Sequence, residues 1–339
     1  MSLPEARVRE YRAIDARTFR DEVAQSYAPA VLRGAVADWP AVAAAATVDG
    51  ALAYLAKFDA GAEVEAFAGP PEIKGRFFYR PDMTGFNFAR RKGPLRDVVK
   101  YIAALSGEAE GDPVLYVGAA AVPEVLPGFE AANPMPLTGP DGTVPRIWIG
   151  NRTEVGTHFD VSHNLACVVA GRRRFVLFPP DQLANLYVGP LDHNMAGQPT
   201  SLVSLHDPDF ARFPRFRDAL AQAQLAELKP GDAIYVPALW WHHVDALAPF
   251  NILINYWWEA QPREAGSPLE AMVHAILSVG SLPPPLREAW RGMFDHYVFE
   301  RNGDPVAHLA PEHRGILGAP TPALRRRIRD FLLRGLGRG

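Results

Sequence analysis

From residue 114 to residue 258 the chain is a succession of short apolar runs, rich in β-branched and aromatic side chains and bounded by glycine or proline. The runs 114–117, 147–149, 165–170, 175–178, 233–236 and 252–258 are too short for buried helices, and their composition suits a pleated sheet surface. Many short strands with turn signals between them predict an antiparallel sandwich or barrel. Lys229-Pro230-Gly231-Asp232 predicts a tight turn, because proline fixes one central dihedral and glycine accepts a positive one.

The flanks follow a different period. Before residue 110, residues 19–24 predict a helix, 30–34 a strand closed by Gly34, and Leu95, Val98, Val99, Ile102 and Leu105 a helix behind Pro94. After residue 260, Leu269, Met272, Val273 and Ile276 share one helical face, as do Leu286, Trp290, Phe294 and Tyr297. Thr321-Pro322 supplies an N-cap and a first-turn proline for a last helix, with Leu324, Ile328, Phe331 and Leu332 on one side. The expected plan is mainly β with flanking helices: an α/β segment over 1–110 packing on a β core over 111–260, then a helical region over 261–339.

Composition limits the function classes. Of 339 residues, 48% are hydrophobic and 22% charged, which is ordinary globular usage, and the net charge of -3 argues against a nucleic-acid or anionic-membrane partner. No apolar run approaches the roughly 20 residues that cross a bilayer, and residues 1–7 lack the apolar core of a secretory signal. The single cysteine, Cys167, excludes an internal disulfide framework and a thiolate zinc site. A soluble cytoplasmic protein is expected.

Three elements carry chemistry. In Thr157-His158-Phe159-Asp160, His158 and Asp160 are two apart, so on a strand they face one way and can converge on one ion. The second element ends an apolar strand in Trp240-Trp241-His242-His243, with His242 84 residues beyond His158. A β barrel can bring the two together. Two histidines and one carboxylate on one face of an iron ion leave three positions open, the facial triad of non-haem iron oxygenases. Adjacent strand residues face opposite ways, so one of His242 and His243 reaches the ion, and spacing does not choose between them. In the third element, Gly171-Arg172-Arg173-Arg174 leads into the strand at Phe175, and alternation turns inward either Arg173 or the Arg172/Arg174 pair. An inward guanidinium needs an anion, and the far carboxylate of a dicarboxylic cosubstrate would serve.

Together with Pro230-Gly231-Asp232 and Asn255-Tyr256-Trp257, these motifs in this order resemble the JmjC-type, cupin-like 2-oxoglutarate dioxygenases, in particular their asparaginyl-hydroxylase branch. The similarity runs from about residue 115 to 260, with looser likeness around Leu32-Arg33-Gly34, Asp38-Trp39-Pro40 and the C-terminal helices. It implies a double-stranded β-helix core of jelly-roll type that binds Fe(II), 2-oxoglutarate and O2. His158, Asp160 and His242 would be the iron ligands, and Arg173 the anchor of the distal carboxylate. Tyr116 would hydrogen-bond that carboxylate, Asn164 and Asn255 would lie near the iron-bound end, and Trp257 would stand beside the metal pocket. Two positions depart from the pattern: Arg173 replaces a lysine, and Val155 replaces a threonine hydroxyl. The resemblance further implies hydroxylation of a protein or peptide side chain and a homodimer through the C-terminal helices. The other classes in play are a metal-binding cupin acting on a small molecule without 2-oxoglutarate, and a non-catalytic cupin-fold binding module.

Overall fold

The structure, a computed structural model, describes residues 3–105, 111–137, 143–195, 197–259 and 265–337. The chain divides into two compact units, one ending at Trp258 and one beginning at Glu259. Within the first unit the N-terminal segment forms strands β1 (Arg9–Arg12), β2 (Ala30–Arg33), β3 (Glu63–Gly69), β4 (Arg76–Phe77) and β5 (Ala89–Pro94). Then come β6 (Val114–Ala121), β7 (Pro145–Gly150), β8 (Glu154–His158), β9 (His163–Ala170) and β10 (Arg173–Phe178). The last four are β11 (Gln224–Leu228), β12 (Ala233–Val236), β13 (Trp241–Ala246) and β14 (Asn251–Trp258).

These strands make two sheets. One has nine strands in the order β1-β2-β12-β9-β14-β7-β6-β3-β5, and the other has five, β11-β10-β13-β8-β4. Pairing is antiparallel except for β1 with β2 and β4 with β8. The mainly β core with flanking helices therefore stands as expected. The N-terminal segment does more than pack on that core, because its strands extend both ends of the large sheet and one edge of the small one.

Side-chain alternation sorts the residues into layers. In β9, Leu165, Cys167 and Val169 face the helical side of the large sheet, where Trp39, Leu95, Val99, Ile102 and Phe129 cover them. Ala166 and Val168 face the other way and meet Phe175, Leu177 and Val244 of the small sheet. The outer face of the small sheet buries Val176, Phe178 and Trp241 under Leu186, Leu205, Phe213 and Phe216. Three apolar layers thus enclose two sheets, and both sheets are buried on both faces over their central strands.

Local chemistry accounts for the joints. At the 229–232 turn Gly231 has φ +92, and a Cβ there would come within 3.1 Å of the Ala37 backbone. Buried Asp232 accepts from Arg33 Nη1 at 2.6 Å and from the Gly34 and Lys229 amides, tying β2 to the turn before β12. The helix behind Pro94 is Leu95–Ala104 and buries Leu95, Val99 and Ile102. Residues 19–23, expected to be helical, form a wide π-helical turn closed by Ala24 N–H on the Phe19 carbonyl. In the second unit the helices are Pro268–Ser278, Pro284–Tyr297 and Pro322–Leu336, and Thr321 Oγ1 caps the last by accepting from Leu324 N–H. Among the described residues no helix is long and apolar enough to cross a membrane.

Gly171 joins β9 in the large sheet to β10 in the small one. Its φ is +76, and a Cβ would overlap Asn251 Oδ1 and lie 2.7 Å from the Phe250 carbonyl oxygen. Replacing it with alanine combines left-handed strain with overpacking, so Gly171→Ala should lower stability by roughly 2–4 kcal/mol in urea unfolding. The exposed neighbour Arg172, changed to alanine, should stay within about 0.5 kcal/mol of the parent.

Candidate active site

Strand β13 lies between β10 and β8, and the register aligns Leu177, His242 and His158 across the three. His242 and Val244 face the space between the sheets, while Trp241 packs on the outer face. On β8, His158 and Val155 stand opposite His242 and Val244, so three steps on one strand match two on the other. This bulge at Gly156-Thr157 turns both Val155 and His158 into the same cavity. Alternation along β13 separates its two histidines, with His242 inside and His243 outside.

The three side chains expected to hold a metal converge there. The rings of His158 and His242 are 4.3 Å apart, and Asp160 Oδ2 is 3.7 Å from His242 Nε2. His158 Nδ1 lies 2.9 Å from the Gly156 carbonyl oxygen, and His242 Nδ1 lies 3.0 Å from that of Trp240. A carbonyl only accepts, so in each ring Nδ1 carries the proton and Nε2 keeps its lone pair for an ion. Asp160 reaches the site by a route that differs from the strand geometry expected of it. Strand β8 ends at His158, and Asp160 follows in the next loop, where its own carbonyl accepts from Leu239 N–H at 2.8 Å.

The opposite part of the cavity is cationic. Alternation along β10 points Arg173, Phe175 and Leu177 inward, whereas Arg174 faces out and pairs with Glu227 at 2.8 Å. Arg173 is 1% exposed, and its Nε and Nη2 find no acceptor among the described residues. Burial lowers its pKa, opposed by the nearby Tyr116 phenol. Burial in turn pushes Tyr116 up to about 12, opposed by the charge of Arg173. On the neighbouring strands, Asn255 accepts from Trp148 Nε1 at 2.7 Å and donates to Asn164 Oδ1 at 3.3 Å. Trp257 meets Trp148 edge-on.

All eight residues singled out from the sequence (Tyr116, His158, Asp160, Asn164, Arg173, His242, Asn255 and Trp257) border this one cavity, and so does Val155. Sequence reasoning missed its aromatic wall: Phe67 on β3, Phe77 on β4, Phe88, and Trp148 on β7. The available signal was the aromatic density between residues 67 and 88, which has no periodicity to give it direction.

The cupin-like domain family matches residues 16–264. The chain belongs to that family. Among its relatives are a lysine-specific demethylase of Arabidopsis thaliana, 38% identical over 104 residues (31% of this chain, 18% of the relative), and HSPB1-associated protein 1 of Homo sapiens, 32% identical over 141 residues (41% and 28%). A bifunctional peptidase and (3S)-lysyl hydroxylase of Homo sapiens is 27% identical over 266 residues, 69% of this chain and 78% of its own. The chain thus spans less than a third of the length of the first two relatives. The resemblance to JmjC-type cupins drawn from the motifs stands.

The cupin-like site has a donor set that fits a divalent ion. One ligand atom from each of His158, Asp160 and His242 lies within 4.8 Å of the other two, and the set carries one negative charge. Burial pushes His242 down to about 4, reinforced by the neighbouring His158, so the ring stays neutral and available to a metal. Protonation therefore favours the unfolded chain, whose histidine titrates near its ordinary 6.5. In chelator, stability should fall as the pH drops from 6.5 towards 4, and His242→Gln should flatten that slope in urea unfolding followed against pH. An equally steep slope in the variant would contradict the assignment.

Proposed function

We propose that this chain is an Fe(II)- and 2-oxoglutarate-dependent oxygenase that hydroxylates a side chain of a protein or peptide. The observation that carries the reading is Arg173, a buried guanidinium with no carboxylate partner among the described residues, in the same cavity as a His–Asp–His triad. A cation so placed costs free energy unless an anion joins it, and a dicarboxylate gives it one. His158, Asp160 and His242 would hold Fe(II). Arg173 and Tyr116 would hold the distal carboxylate, and Asn164, steadied by Asn255, would serve the other end. Bound iron supplies O2 activation and C–H oxidation, coupled to decarboxylation of 2-oxoglutarate to succinate. The protein's part is positioning. The two Nδ1 contacts to backbone carbonyls hold the imidazoles in one tautomer, the bulge at Gly156 orients His158, and the aromatic wall keeps water from the cosubstrate.

The relatives named for lysine demethylation and lysyl hydroxylation favour a protein substrate over a small molecule. We place the protein in the cytoplasm, consistent with a single, buried thiol. We also infer a homodimer through the C-terminal helices. Met272, Val273, Ile276, Leu286, Trp290 and Phe331 are exposed there, and none of the three helices contains a buried residue.

Purified protein given Fe(II), 2-oxoglutarate and O2 should form succinate, and His158→Ala should form none. Arg173→Met should raise the 2-oxoglutarate KM by about two orders of magnitude, with Arg173→Lys intermediate. The same Met variant should leave the ligand-free protein as stable as the parent or more so, because it removes an uncompensated buried charge. Unchanged 2-oxoglutarate binding in Arg173→Met would favour a cupin that works without this cosubstrate. Sedimentation should give twice the 37.2 kDa chain mass, falling to a single chain in Trp290→Asp/Phe331→Asp.

A further inference from the structure

The structure assigns a second divalent-cation site to His206, His243 and Asp245, with Glu154 beside them, on the outer face of the five-stranded sheet. The cation it suits is one of intermediate hardness, such as Zn2+.

Alternation along β13 sets the place. Since His242 and Val244 face the cavity, His243 and Asp245 face away from it, so this cluster and the triad lie on opposite sides of one strand. His206 Nε2 is 2.9 Å and His243 Nε2 is 3.1 Å from the same oxygen, Asp245 Oδ1. His243 Nε2 is also 4.0 Å from Glu154 Oε1. One ligand atom from each of His206, His243 and Asp245 lies within 4.8 Å of the other two. Ligands at 2.0–2.1 Å from a tetrahedral zinc ion stand about 3.3 Å apart, close to the spacings here.

Charge and burial point to a ligand. Asp245 and Glu154 are directly opposite each other in the β13–β8 register, an arrangement of like charges that destabilises a sheet unless a cation intervenes. On the other side Arg174 lies directly opposite Asp245 in the β10–β13 register, but its guanidinium is paired with Glu227. Arg76 Nε forms an ion pair with Glu154 Oε1 at 3.4 Å, whereas the ion pairs of Asp245 among the described residues are with His206 and His243. The Asp245 side chain is 8% exposed and that of His243 only 1%. Asp245 Oδ2 is a buried acceptor with no hydrogen-bond donor among the described residues. A divalent ion held by two imidazoles and Asp245, with Glu154 completing the set, removes the repulsion and satisfies that oxygen. The His206 side chain is 42% exposed, which leaves a route from solvent.

The test uses the full chain, stripped with chelator and titrated with Co2+ by calorimetry and visible absorption, then with Zn2+ in thermal melts. Wild type should take up two equivalents, and His158→Ala one. His206→Ala should also take up one, and His158→Ala/His206→Ala none. Zn2+ should raise the melting temperature of His158→Ala but leave that of the double variant unchanged. A single equivalent in wild type that His158→Ala abolishes would overturn the proposal, the cluster then being a hydrogen-bonded triad without metal. A second equivalent that survives His206→Ala and Asp245→Asn alike would also overturn it. His206 is half-exposed and outside the strands, so its variant folds even if the buried Asp245→Asn does not. Loss of one equivalent in His158→Ala reports on the catalytic triad separately.

Discussion

The pairing of β13 with its two neighbours is the constraint on which the rest depends. Strand β10 contributes Arg173, β13 contributes His242, and β8 contributes His158, and one register holds all three in the interior. Side chains alternate with a period of two, so a slip of one residue would exchange His242 for His243 and Arg173 for its neighbours. Apolar burial alone does not prevent that slip. Phe175, Leu177 and Val244 are buried on the inner face, and Val176, Phe178 and Trp241 on the outer one. What distinguishes the faces is the polar pattern, with Arg174 meeting Glu227 and Asp245 meeting His206 and His243 outside. The register that makes the site is thus selected by interactions on the far side of the sheet.

Within the cavity, two polar elements are set in apolar walls. Asp160 with the imidazoles of His158 and His242 forms an anionic centre, and Arg173 forms a cationic one, with no ion pair between them among the described residues. Left alone, each is costly, since a buried charge keeps its desolvation penalty when nothing compensates it. A divalent ion neutralises the first and a dicarboxylate the second. Val155 deepens the asymmetry, because it puts a methyl surface where the resembled pattern has a hydroxyl, and in the proposed reading the orientation of the cosubstrate would rest more heavily on Arg173, Tyr116 and Asn164.

Much of this arrangement was legible in the sequence, for physical reasons that differ from residue to residue. His158, Arg173 and His242 lie on or beside buried strands with strong apolar signals, so alternation narrowed their directions to two choices each. The resemblance chose among these choices, and the fold agrees. Asp160 was found by a strand argument although β8 ends at His158 and Asp160 sits in the loop beyond it, and the bulge that turns Val155 inward together with His158 had no counterpart in the expectation. Bulges leave no compositional mark beyond a glycine, here Gly156. Strand β5 was hidden for another reason: Ala89-Arg90-Arg91-Lys92-Gly93-Pro94 is a charged edge strand, exposed along most of its length, and its charges resist edge-to-edge association. The second histidine cluster was invisible because His206 comes from a loop, where no periodicity predicts direction.

The aromatic wall shows why the N-terminal segment cannot be regarded as a mere cover. Phe67, Phe77 and Phe88 come from strands and a loop that extend the two sheets, and they pack with Tyr116 and Trp148 of the core. The polar groups proposed for metal and cosubstrate all lie between residues 116 and 255, while Phe67, Phe77 and Phe88 add three aromatic rings to the lining from residues 67–88. The N-terminal stretch thus contributes to the shape of the cavity and none of its polar groups. Substitutions in the 67–88 stretch can alter the size and contour of the space beside the triad while leaving the strand register that holds His158, Arg173 and His242 intact. A fold built in this way can keep one set of polar groups in place while the contour of its cavity drifts.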